Sequence, residues 1–142
     1  MSENQKVFGG CLCGKFRYEV TPPATASAIC CCESCTKAAG APAICWTGFK
    51  RSDFRVLNGM VEIYQSSPGV NRGFCPHCGT TLTYQMDPSI FQVDTSAIEQ
   101  PIIGDDMFIA TRTLDNPNAF PPDHKPAFYD ERVNWFNLKD VN

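Results

Sequence analysis

Nine cysteines in a chain of 142 residues are the side chains whose types and spacing can do chemistry, and they fall into groups. Phe74-Cys75-Pro76-His77-Cys78-Gly79 is a C-x-x-C-G knuckle. Its tight turn, with Gly79 free to take a left-handed backbone, brings two sulfurs onto one ion at a Zn–S distance of about 2.3 Å. A tetrahedral site needs two more ligands, and Gly10-Cys11-Leu12-Cys13-Gly14 offers a C-x-C pair on a second glycine-flanked turn. Cys11, Cys13, Cys75 and Cys78 together would close a structural zinc site. A redox dithiol at Cys75 and Cys78 fits less well, because no βαβ pattern surrounds them. His77, between the two knuckle cysteines, is expected to point into solvent.

The second group is Cys30-Cys31-Cys32-Glu33-Ser34-Cys35, in which C-x-C and C-x-x-C overlap. Cys30, Cys32 and Cys35 can face a common centre while Cys31 points away from an extended backbone. Three protein ligands leave a fourth position open, as in a catalytic zinc site, whereas a fourth ligand closes it. The choice turns on Cys45. Its return to the ion would make a second closed tetrathiolate, but Ala43-Ile44-Cys45-Trp46 reads as a buried strand and favours core packing for Cys45. An odd number of cysteines cannot pair completely into disulfides within one chain. With no secretion signal in the first residues, the thiols are expected to meet a reducing compartment.

The elements that must position these groups are short. Ten Gly and eleven Pro interrupt the chain every few residues, which disfavours long helices and favours short strands joined by turns. Residues 15–20, K-F-R-Y-E-V, alternate strictly and put Phe16, Tyr18 and Val20 on one face of a half-buried strand. Residues 21–26, with Pro22-Pro23, form a loop. Residues 33–39, closed by Gly40, suit about two helical turns. Further strands are expected at 43–49, 61–65, 80–86, 90–94 and 107–111, and residues 115–124 as irregular chain over the surface. With 43% hydrophobic residues and ten Phe, the chain has material for one core, and a single domain over residues 1–142 is expected.

In order along the chain, Gly10-Cys11-Leu12-Cys13-Gly14-Lys15-Phe16-Arg17-Tyr18, Cys30-x-Cys32-x-x-Cys35, Tyr64-Gln65-Ser66-Ser67, Arg72-Gly73-Phe74-Cys75-Pro76-His77-Cys78-Gly79-Thr80, and His124 with Trp135 resemble the glutathione-dependent formaldehyde-activating enzyme family. That family also includes the domain of centromere protein V. The resemblance runs from about residue 9 to 139. It implies a mainly β fold, the β-tent (Mss-four-like) arrangement of antiparallel sheets pinned by zinc. It also implies two zinc ions per chain, a structural one on Cys11, Cys13, Cys75 and Cys78 and a catalytic one on Cys30, Cys32 and Cys35. One departure stands out: where the family has histidine in C-H-C-x-x-C, this sequence has Cys31.

Zinc held by three thiolates carries a formal charge of −1, which makes it a weak activator of water but leaves it able to keep a fourth sulfur deprotonated. The expected partner is therefore a small-molecule thiol such as glutathione, and the reaction its addition to formaldehyde or another small electrophile, or the reverse carbon–sulfur lysis. Arg72 and Lys37 are candidate cations for the carboxylates of glutathione, while His124 is a packing or acid–base residue left outside the catalytic set. The alternative is a zinc-stabilised binding module without catalysis, which would have no use for three further converging thiols. A methionine-sulfoxide-reductase-like enzyme would leave the C-x-C at 11–13 unexplained. A formal charge of −3 and a pI near 5.3 argue against nucleic acid or an anionic membrane as partner. With no apolar run of 18 residues, a cytoplasmic protein is expected.

Overall fold

A computed structural model describes residues 5–86, 106–123 and 125–138. Nine strands, all paired antiparallel, one short α-helix and four single 3-10 turns make up the regular structure of these residues. The smaller sheet has the order β1-β2-β5, from β1 (Val7–Gly10), β2 (Arg17–Val20) and β5 (Phe54–Asn58). The larger has the order β3-β4-β9-β8-β7-β6. Its strands are β3 (Ala26–Cys30), β4 (Ile44–Lys50), β6 (Glu62–Ser67), β7 (Val70–Phe74), β8 (Thr81–Met86) and β9 (Asp106–Ala110). The helix α1 spans Glu33–Ala39 and ends at Gly40, as the sequence suggests.

Alternation in 15–20 is realised: Phe16, Tyr18 and Val20 are buried. Glu19, on the opposite face, is also only 7% exposed because β2 is the central strand. Its carboxylate is compensated there by Lys6 at 3.0 Å and Arg55 at 3.7 Å. The expected strands at 43–49, 61–65, 80–86 and 107–111 correspond to β4, β6, β8 and β9, and the one at 90–94 lies outside the described residues.

Antiparallel partners put their side chains on the same side of a sheet, so register divides the six-stranded sheet into two faces. The pairs Ser27↔Thr47, Ile29↔Cys45, Phe49↔Met107 and Thr47↔Ile109 fall on one of them. This face packs on the smaller sheet, where Phe49 and Ile109 join Phe16, Tyr18, Val20, Leu82 and Leu114 in the larger core. Its buried hydroxyls are paired with one another, Thr47 to Thr111 at 2.7 Å and to Ser27 at 3.3 Å. The opposite face carries Cys30, Trp46, Ala110, Phe108 and Tyr84. Cys30, Cys35, Trp46, Ala110 and Ala127 form a second, smaller core there.

The described part of the chain expected to be irregular, residues 115–123, lies over the surface, and together with Ala127 it also protects sheet edges. Asp115 N–H donates to Phe8 O, Asp123 N–H to Ser27 O and Ala127 N–H to Ile29 O, which caps the outer strands β1 and β3. A left-handed residue supports the turn holding the first cysteines. Gly59 has φ +77°, and a Cβ there would collide with the carbonyl oxygen of Lys15. Gly59→Ala is expected to cost about 2 kcal/mol in denaturant titration, from strain in a left-handed position plus displacement of the 11–15 turn.

Candidate functional site

The C-x-C turn between β1 and β2 and the knuckle between β7 and β8 meet, so that the sulfurs of Cys11, Cys13, Cys75 and Cys78 all lie within 4.8 Å of one another. Cys11 and Cys13 are 3.5 Å apart and Cys13 and Cys75 3.9 Å. A tetrahedral ion with bonds of about 2.3 Å would place its sulfurs about 3.8 Å apart, and a disulfide would place them at about 2.05 Å, so the geometry fits a metal centre. Outer hydrogen bonds orient the ligand atoms: Phe16 N–H donates to Cys11 Sγ at 3.3 Å and Cys78 N–H to Cys75 Sγ at 3.5 Å. Leu12 N–H reaches Thr80 Oγ1 at 3.1 Å and ties the two turns together. Hydrogen bonds from the Thr80 side chain and backbone hold the Cys78 thiol down at about 5. Gly79 has φ +79°, the left-handed conformation expected of it. His77 is exposed beside Lys15 and takes no part in the group.

The second group is built at the junction of β3 and α1. Cys30 ends β3 on the Trp46 face of the sheet. Cys32 is the N-cap of α1, its Sγ accepting the Cys35 N–H at 3.3 Å, and Cys35 lies one turn along the helix. Their three sulfurs again lie within 4.8 Å of one another. Hydrogen bonds from Cys30 and Cys32 pull the Cys35 thiol far down, against its burial and with help from Arg72, while Cys30 is pushed up by the same contacts and by burial.

The cysteines outside both groups are placed by strand geometry. Cys31 is 0% exposed, with its N–H on Ala127 O at 2.9 Å, and it lies outside the three-sulfur group. Position 31 is thus a packed thiol that points away from the group, as expected of it. Cys45 pairs with Ile29 and contacts Ser27 Oγ at 3.9 Å, on the sheet face opposite Cys30 and Trp46. It is half-buried and does not join the group, so among the described residues no fourth cysteine reaches those sulfurs.

Of three neighbours of the sulfurs, Arg72 is a candidate from the sequence, whereas Tyr84 and Phe108 carry no local sequence signal. Arg72, Tyr84 and Phe108 are cross-strand partners along one face, and Arg72 Nη1 and Nη2 lie 3.6 and 3.7 Å from Cys35 Sγ. The guanidinium also sits 5.0 Å from the centre of the Tyr84 ring. Trp46 packs 5.7 Å from that ring within the same small core, and its buried Nε1–H has no acceptor among the described residues. A cavity of about 260 Å³ opens beside Arg72, with Ala38, Tyr64, Phe74 and Thr81 also in its wall. Lys37 is exposed on α1, and Trp135 is 74% exposed. His124 lies outside the described residues.

The family model of the glutathione-dependent formaldehyde-activating enzyme matches residues 6–130, which contain both sulfur groups. The chain belongs to that family. As a family member it has a β-rich antiparallel fold with two cysteine groups that could each hold a metal ion. A crystal structure of a Rhodobacter sphaeroides protein has a similar fold, with a TM-score of 0.57 and 19% identity over 84% of this chain and 97% of that one. A search of curated proteins finds no match to this chain. Among the described residues no helix is long and apolar enough to cross a membrane.

Proposed function

We propose that this family member is a carbon–sulfur lyase of the S-(hydroxymethyl)glutathione synthase type. It would join a thiol such as glutathione to formaldehyde or another small electrophile, and catalyse the reverse. The observation that carries the reading is the three-sulfur group of Cys30, Cys32 and Cys35, with Cys45 turned to the other face of the sheet. In this reading the whole chain acts as one domain in the cytoplasm, where thiols stay reduced. One zinc, structural, would be held by Cys11, Cys13, Cys75 and Cys78, and a second, catalytic, by Cys30, Cys32 and Cys35. Zinc at the second group would supply an open coordination position and lower the pKa of a thiol that enters it.

The chain's own residues prepare the surroundings. Trp46, Tyr84 and Phe108 make the sulfur group's side of the sheet aromatic, so an entering thiol would meet a largely apolar wall. Trp46 Nε1–H is a buried donor that an oxygen of the substrate would satisfy. In the net reaction a C–S bond forms as the carbonyl π bond opens, and the thiol's proton ends on the new hydroxyl oxygen. Lysis reverses each change.

Protein purified without chelator is expected to contain two zinc ions per chain by element analysis. It should speed formation of the S-hydroxymethyl adduct from glutathione and formaldehyde above the uncatalysed rate, followed by proton NMR exchange. Two zinc ions with glutathione binding but no acceleration would favour another electrophile. Two zinc ions with neither binding nor acceleration would favour the binding module. Absence of zinc would overturn both readings.

A further inference from the structure

We propose that Arg72 is a positioning residue of the three-sulfur site, paired with Cys35 and offsetting the charge of the sulfurs, and is not the receptor for the substrate's carboxylates. This inference rests on the reading that the site holds a divalent metal and takes a thiol. Sequence alone offers another use, with Arg72 and Lys37 as candidate partners for glutathione's carboxylates. The structure shows where its donors go. Both terminal nitrogens lie almost equally far from one sulfur, at 3.6 and 3.7 Å from Cys35 Sγ. Nε donates to Ser66 Oγ at 3.0 Å, and the guanidinium lies over the Tyr84 ring at 5.0 Å. Each of the three nitrogens thus directs one N–H at a partner within the chain, and the fork as a whole is turned to Cys35 rather than outward. The side chain is held by strand register as well, since Arg72 stands between Tyr64 on β6 and Tyr84 on β8.

Charge balance gives this contact its consequence. Three thiolates around a divalent ion carry −1, and an incoming thiolate raises this to −2 in surroundings built largely from aromatic and apolar groups. A guanidinium fixed against one of the sulfurs brings the assembly back to −1. It should strengthen the hold on the metal and the acceptance of any thiolate, whatever that thiol's tail carries. A carboxylate receptor would behave differently, since it would discriminate between thiols by their tails.

The test uses the full chain loaded with cobalt, whose visible spectrum reports sulfur coordination, titrated with glutathione and separately with 2-mercaptoethanol, which has no carboxylate. In Arg72→Gln, about tenfold more of both thiols should be needed, and a chelator should strip the three-sulfur site at about tenfold lower concentration. The cobalt at Cys11, Cys13, Cys75 and Cys78 should be unaffected, which reports an intact fold. Arg72→Lys, which keeps the charge but loses the fork, should recover part of both losses. If Arg72→Gln does not fold, Arg72→Lys decides alone, because wild-type retention of cobalt and of both thiols there would overturn the pairing. Weaker glutathione binding with unchanged 2-mercaptoethanol binding and cobalt retention would make Arg72 a carboxylate receptor and overturn the proposal. No change in any readout would overturn it too, while leaving the proposed function standing. A wild-type protein that ignores both thiols would instead sink the proposed function, and cobalt retention would still decide for or against Arg72.

Discussion

Cys75→Ala and Cys11→Ala are each expected to leave little folded protein, whereas Cys32→Ala should melt close to wild type. Cys75 and Cys11 are 2% and 8% exposed and belong to the larger core with Phe16, Tyr18 and Leu82. Their sulfur group is also where the smaller sheet, through the β1–β2 turn, is fastened to the larger one through the β7–β8 turn. Metal binding at a closed site of this kind is worth on the order of 10 kcal/mol of folding free energy. That is comparable to the whole stability of a small domain, about 5–15 kcal/mol. Losing one ligand therefore removes most of the margin. Cys32 caps a seven-residue helix at the edge of the fold, so its loss should cost about 1 kcal/mol in capping together with a more weakly held ion. Thermal melts of the three variants, with zinc content measured in parallel, provide the check. Equal destabilisation by all three would show that both sulfur groups are structural and would count against catalysis.

Cys35→Ala should lower adduct formation by more than about a hundredfold, the upper range for loss of an outer partner alone, with a melting temperature shifted by only a few degrees. Cys35 is the sulfur shared by the other two thiols and by the Arg72 fork, so its removal dismantles the site from its centre. Cys45→Ser should leave activity, zinc content and the thiol-dependent cobalt spectrum unchanged. The reason is the pairing Ile29↔Cys45, which turns that side chain to the opposite face from Cys30 and Trp46. Activity lost in Cys45→Ser but retained in Cys35→Ala would require a different register of β3 on β4 and would overturn the assignment of the open site.

Much of this protein is readable from local spacing because a knuckle is a local object. Cys75 and Cys78 are brought together by one turn, Cys11 and Cys13 by another, and Cys32 and Cys35 by one turn of a helix bounded by a cap and Gly40. Each of these depends on backbone geometry within a few residues. The strand around Phe16, Tyr18 and Val20 is legible for the same reason, since one face meets the core and the period of two follows. Strands β1, β3, β5 and β7 escape such a reading. In β7, Val-Asn-Arg-Gly-Phe has no apolar alternation, and it is a strand because β6 and β8 complete its hydrogen bonds on both sides.

The two groups of cysteines, the helix that carries Cys35 and the family to which the chain belongs are all legible in the order of residues. It took the packing of the folded chain to exclude Cys45, to bury Cys31 completely once it points away from the sulfurs, and to set Arg72 against Cys35 over the Tyr84 ring. Each of those outcomes is a matter of which face of a sheet a side chain occupies and which strand lies beside it. A shift of one residue in register would reverse the face, and register is set by pairing between segments that are distant in the chain.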